Sequence, residues 1–143
     1  MGCFRYILKG KIPIAEPDNY KWSEWIEKAQ KTGLCGVGRT TIFHEKYPKK
    51  IHMVSTVFLG VDSNYFNEPP LLFESQEFIK ENNKIENGDL DRASTWEEAV
   101  ERHRSLVLSI ASRLEKEHGP NVHISSTIGR GYMKWDGKKL RQK

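Results

Sequence analysis

The chain is short of cysteine and has no long apolar run. Two cysteines in 143 residues, Cys3 and Cys35, cannot build a disulfide scaffold or supply a four-ligand zinc site on their own. No stretch approaches the ~18 consecutive apolar residues of a membrane span. The opening Met1-Gly2-Cys3-Phe4-Arg5 has no apolar core of a secretory leader. A soluble protein of a reducing cytoplasm is therefore expected. H-E-x-x-H, G-x-S-x-G, C-x-x-C, the Walker loop and the dinucleotide fingerprint are all missing, so the commonest signatures of hydrolases, redox proteins and nucleotide-binding folds have no support. No metal or cofactor is expected, and the reading leans away from an enzyme. Hydrophobic residues reach only 37%, against a usual share of roughly 45%. Aromatics at 10%, four of them Trp, nevertheless argue against disorder.

Charge is unevenly placed. Residues 130–143 hold six basic side chains (Arg130, Lys134, Lys138, Lys139, Arg141, Lys143) against Asp136, a net +5 that leaves the other 129 residues at −1. The sequence thus reads as one near-neutral domain, 1–128, followed by a basic C-terminal tail, 129–143. A body at −1 is not an acidic DNA mimic. It also differs from a basic domain that carries its charge on a folded face.

Periodicity gives an α+β class: an antiparallel sheet of about four to six strands, with a short N-terminal helix and one long C-terminal helix packed on it. Phe4–Leu8 reads as a strand and Ile12-Pro13-Ile14 as an edge strand. Trp22, Trp25, Ile26 and Ala29 recur at helical spacing, after a Pro17-Asp18-Asn19 entry and before Gly33. Arg39–Phe43 and Ile51–Gly60 read as paired strands joined by a short polar loop. The second of these is apolar on both faces, which predicts a central strand covered on both sides. Leu71–Ile79 is a further strand and Lys80–Arg92 a solvent loop. Ser94 and Thr95 each precede a Glu by three residues, a capping box, and Trp96, Ala99, Val100, His103, Val107, Ile110, Ala111 and Leu114 then mark a helix of about five turns ended by Gly119-Pro120. Val122–Ile128 reads as a last strand. Two helices cover one face of such a sheet, so a homo-oligomer burying the other face is expected.

His103 lies on the apolar stripe of the long helix. It is either a pocket group or, the favoured reading, a core histidine satisfied by a backbone carbonyl. Asp62 and Asn64 follow the central strand and read as turn chemistry. Gly36-Val37-Gly38-Arg39 and Gly129-Arg130-Gly131 are Gly-rich, Arg-bearing segments able to turn amides and a guanidinium toward an anion. Tyr132 and Trp135 add stacking faces among the cations of the second segment. Arg39, Arg130, Tyr132, Trp135 and His103 are the candidate ligand-binding residues; no catalytic residue is assigned. Glu74 and Glu77, three apart on a strand, point to opposite faces and do not form an acid–base pair. Cys35 has no partnering His at a recognisable spacing, so a thiol nucleophile is unsupported.

The run V-S-T-V-F-L-G at 54–60, Asp62, P-P-L-L-F-E at 69–74 and T-W-E-E-A at 95–99 with His103 resemble a family of small bacteriophage and prophage proteins without a settled biochemical role. The likeness spans roughly residues 12–107. It departs at Ser63, where the family often has His, and in the basic segment from Gly129. The resemblance implies a phage accessory protein made early in infection. Three functions are expected in descending order. The first is a non-enzymatic counter-defence protein that sequesters a host protein or a nucleotide-like signal. The second is a nucleic-acid-associated protein binding phosphates through the tail. The third is a small hydrolase drawing on His103, Asp62 and His52.

Overall fold

The longest element grows from the strongest local signal. In the computed structural model, which describes residues 4–128, 131–135 and 140–142, the last two segments as backbone, Thr95 is the N-cap of α2 (Trp96–His118). Its side-chain oxygen accepts the Glu98 amide at 3.1 Å, and Glu97 and Glu98 complement the helix dipole. Ser94, the other capping candidate, has a buried hydroxyl with no hydrogen-bond partner among the described residues. Thr95→Ala should therefore cost about 1 kcal/mol in urea unfolding, whereas Ser94→Ala should be neutral or stabilising because it removes an unsatisfied hydroxyl.

Helix α1 (Asn19–Thr32) is capped by Asp18, whose side chain accepts the Lys21 amide, and ends at Gly33 in the left-handed region. It buries Ala29 and lays Trp25 edge-on against Phe58. The first two strands, β1 (Tyr6–Lys9) and β2 (Ile12–Ala15), form a separate antiparallel ribbon.

The main sheet is built from β3 (Gly36–His44), β4 (Ile51–Phe58), β5 (Phe73–Glu81), β6 (Lys84–Ala93), β7 (Val122–Ile128), β8 (Gly131–Trp135) and β9 (Leu140–Gln142). Their order is β6-β5-β4-β3-β7-β8-β9, with every pairing antiparallel. The expected α+β class holds, and the sheet is one strand wider than the widest expectation. The segment 80–92, expected as a solvent loop, is instead the end of β5, the turn and most of the edge strand of a β5–β6 hairpin. Asn82 and Asn83 turn the chain with φ of 51° and 65°, a conformation Asn tolerates better than most side chains. Edge position explains the polar composition, since residues 84–92 are all exposed.

Both helices lie on one side of the sheet. Alternation along β4 buries His52, Val54, Thr56 and Phe58 beneath α2 and leaves Ile51, Met53, Ser55 and Val57 half-buried on the other side. Among the described residues no helix covers the other face of β4, so the expected cover on both faces is not seen there; its central place in the sheet, between β3 and β5, accounts for the apolar pattern.

Apolar packing under α2 falls into two clusters. One gathers Phe58, Phe73, Trp96 and Ala99 with Ala29 of α1. The other gathers Ile42, Val54, Val107, Ile110 and Leu114. No described helix is long and apolar enough to cross a membrane.

Candidate functional site

Two polar systems interrupt the interface between α2 and the sheet. The first centres on His103, which is fully buried. Its Nε2 lies 2.7 Å from Thr40 Oγ1 and its Nδ1 2.7 Å from Thr56 Oγ1. Thr40 in turn meets Ser126 at 2.5 Å, and Thr56 meets Ser75 at 2.6 Å. The result is a five-member chain, Ser126–Thr40–His103–Thr56–Ser75, running across β7, β3, β4 and β5. A neutral imidazole has one N–H and one lone pair. One threonine must therefore donate to the ring while the other accepts from it, and all four hydroxyls point the same way along the chain. Burial first, and the nearby Arg104 charge second, lower the His103 pKa from 6.5 to about 4. His103 is thus a core histidine, but hydroxyls rather than a backbone carbonyl satisfy it.

Gly38 belongs to this system. A Cβ at that position would stand 3.1 Å from His103 Cε1 and Nδ1. The irregularity in β3 between Gly36 and Gly38 lets the ring close on bare backbone, which is a packing role for the Gly36–Gly38 segment.

The second system sits further along α2. The His52 and Glu77 side chains are 5% and 2% exposed, and His52 Nδ1 lies 3.0 Å from Glu77 Oε2. Glu77 Oε1 accepts the Asp89 amide at 3.3 Å, and Arg113 approaches Oε2 at 3.6 Å. The hydrogen bond from His52, opposed by burial and helped by the Asp89 amide and the His52 and Arg113 charges, holds the Glu77 carboxyl below the usual range. An ionised Glu77 takes a proton donor from Nδ1, which leaves the lone pair of a neutral His52 on Nε2. That Nε2 is buried and has no partner among the described residues.

His52, Glu77 and Arg113 line a cleft of about 390 Å³ with His44, Tyr47, Lys50, Asp89, Glu117 and His118. His44 is committed to structure: Nδ1 accepts the Lys46 amide and Nε2 donates to the Gly119 carbonyl. Tyr47 and His118 set their rings 4.7 Å apart at the rim. The formal charges of the lining nearly cancel, since Lys50 and Arg113 face Glu77, Asp89 and Glu117. Gly88 closes the cleft floor, where a Cβ would collide with Glu77 Oε1 and stand 2.7 Å from its Cδ.

The candidates read from sequence are distributed as follows. His103 is beneath the sheet, while Arg39 is exposed on its opposite face and touches Met53 Sδ at 3.5 Å. Arg130 and the side chains of Tyr132 and Trp135 lie outside the described residues; the backbones of Tyr132 and Trp135 are in β8, with Tyr132 paired to Thr127. Asp62 is turn chemistry, accepting the Asn64 and Leu71 amides at 2.7 and 3.0 Å. His103, Asp62 and His52 occupy three separate hydrogen-bond systems. Glu74 and Glu77 do point to opposite faces: Glu74 pairs with Arg92, and Glu77 with His52. Burial pushes the Cys35 thiol up, which suits an inert core position.

Sequence reasoning passed over Glu77 as a partner for His52 and did not consider Arg113. The usable signal was strand alternation, which puts Glu77 on the same face as Phe73 and Ser75. No protein-family model, curated protein or solved structure matches the chain.

Proposed function

We propose that this chain is a non-enzymatic binding protein that captures a small ligand in the cleft formed by His52, Glu77 and Arg113. The observation that carries this reading is the buried His52 Nε2. In the neutral ring that nitrogen is a desolvated acceptor without a partner, which costs about 1–3 kcal/mol, and a ligand O–H or N–H seated there recovers it. The near-balanced lining favours a ligand rich in hydroxyl and amino groups, of the nucleoside kind, over a highly charged anion. Tyr47 and His118 offer ring faces to its planar part. The lining contains no Ser, Thr or Cys among the described residues, so the His–Glu pair has no side-chain nucleophile to activate. The resemblance to phage proteins supplies the setting: sequestration of a host signalling molecule in an infected bacterium.

Native mass spectrometry of the full chain from its bacterial host, followed by thermal melts with nucleosides and linear and cyclic nucleotides, tests the proposal. A ligand at one hundred times its Kd adds about 2.7 kcal/mol, a rise of roughly 5–10 °C for a chain of this size. His52→Ala should abolish the rise and Arg39→Ala should leave it. A rise that survives His52→Ala would move the site elsewhere. Consumption of the ligand would replace capture by hydrolysis.

A further inference from the structure

The face of the main sheet away from α2 carries a second surface, independent of the cleft. Cross-strand register sets Thr127, Arg39, Ser55 and Gln76 in one row over β7, β3, β4 and β5. On the same face Phe43 and His123 stack with centroids 4.9 Å apart and planes 11° from parallel, and His123 is exposed.

The described charges on this face are net positive, Arg39, Lys80 and Arg92 against Glu74. Arg39 and Lys80 have no carboxylate within ion-pair distance among the described residues, and Glu74, which lies beyond the Arg39 row on the side away from Lys80, is held by Arg92 at 3.3 Å. The β6 acid Asp91 turns to the helix side, where it meets Arg102 of α2 at 3.7 Å. A hollow of about 330 Å³ lies beside Arg39, Ser55 and Thr127. Beyond Thr127 the sheet continues into β8 through the Thr127–Tyr132 pair, and residues 130–143 hold the chain's +5 segment.

We infer that this open sheet face binds single-stranded nucleic acid, with Arg39 on a phosphate and the Phe43–His123 stack receiving a base. The argument is charge complementarity joined to stacking: unpaired cations track a phosphate backbone, and a planar ring added to His123 extends an existing stack without demanding a sequence. Ser55 and Thr127 flank Arg39 with hydroxyls that can donate to the same phosphate. Helices on one face and aromatics with cations on the other leave the strands free to present a flat platform. The cleft beside α2, where Lys50 and Arg113 face Glu77, Asp89 and Glu117, gives no comparable attraction for a polyanion.

Fluorescence anisotropy of the full-length protein with labelled 20-mers of oligo-dT and oligo-U tests this. The logarithm of the affinity should fall linearly with the logarithm of salt concentration. Arg39→Ala should lower the slope by about one phosphate contact, and His123→Ala should weaken binding by about ten-fold; both residues are exposed, so circular dichroism should show an unchanged fold. Lys138→Gln/Lys139→Gln/Arg141→Gln should weaken binding while leaving the effect of His123→Ala intact. Loss of all binding in that triple variant, with none in Arg39→Ala or His123→Ala, would place binding on the basic segment alone and overturn the inference. A dimer in light scattering that His123→Glu converts to a monomer, together with no oligonucleotide binding, would show a second copy on this face and overturn it equally. Failure of the cleft to capture any nucleoside leaves these readouts unaffected.

Discussion

Acidification from pH 6.5 to pH 4 should remove about 3 kcal/mol of folding stability through His103 alone. Its pKa is lowered to about 4 in the folded protein, against about 6.5 in an unfolded chain. The unfolded state therefore binds more protons across that window. The contribution is fully present above pH 6.5, erodes as pH falls, and is gone below about 4. The structural cause is that an imidazolium would donate from both nitrogens into Thr40 and Thr56, reverse half of the hydroxyl chain, and place a charge under α2 with no carboxylate paired to it among the described residues. Urea titrations at pH 5, 6 and 7 measure the slope. The window from pH 5 to 6.5 isolates His103 from Glu77, whose pKa is lowered from 4.5, so that its contribution is lost only as pH falls through lower values.

Removing the ring tests the same network at neutral pH. His103→Leu should cost about 3 kcal/mol, since it leaves the two threonines without their ring partners in a site that water does not reach. Converting the whole chain to apolar groups (His103→Leu, Thr40→Val, Thr56→Val, Ser75→Ala, Ser126→Ala) should recover most of that loss, because no orphaned hydroxyl remains. The part of the pH slope that His103 supplies should vanish in both variants. A slope unchanged from that of the parent chain would mean that His103 is not the group responsible.

The contrast between α2 and β6 shows what was readable from sequence. Trp96, Ala99, His103, Val107, Ile110 and Leu114 repeat every three or four residues behind a capping box, so local chemistry and burial agree and the helix is legible. β6 exists because its amides pair with β5 while its side chains stay in solvent. Residues 84–92 carry no apolar alternation, and only the Asn82-Asn83 turn marks the hairpin. The same limit applies to the sites. That His103 belonged to the core followed from its helical face, but its partners come from four strands separated by up to 86 positions in sequence. His52 and Glu77 meet because register pairs His52 with Ile79 and Val54 with Glu77. A shift of that register would have separated them, and nothing in a single sequence fixes it. Arg39 was found for its Gly-rich neighbourhood, yet Gly38 serves the His103 ring and Arg39 faces the other way.

Gly88→Ala should disable the cleft as thoroughly as removing Glu77. The new Cβ would collide with Glu77 Oε1 and meet its Cγ at 2.9 Å. The carboxylate cannot swing aside freely, because Oε2 is held by His52 and Arg113 and Oε1 by the Asp89 amide. A loss of about 2–3 kcal/mol is expected, matching Glu77→Ala, which strands His52 and the Asp89 amide. The double variant Gly88→Ala/Glu77→Ala should cost little more than either single change, since truncating Glu77 removes the clash; a double-mutant cycle in urea measures that coupling. Additive losses would mean that Gly88 acts through backbone strain and not through Glu77. Glu77→Gln separates charge from shape. The Asp89 amide keeps the carbonyl oxygen of the substituted side chain on its side, so the new NH₂ group faces His52 Nδ1 and forces the imidazole proton onto Nε2. Stability should fall by only about 1 kcal/mol, but the cleft would then present a donor where the ligand needs an acceptor. Ligand capture should be lost although the fold persists, and nitrogen-15 shifts of the His52 ring should report the exchanged tautomer.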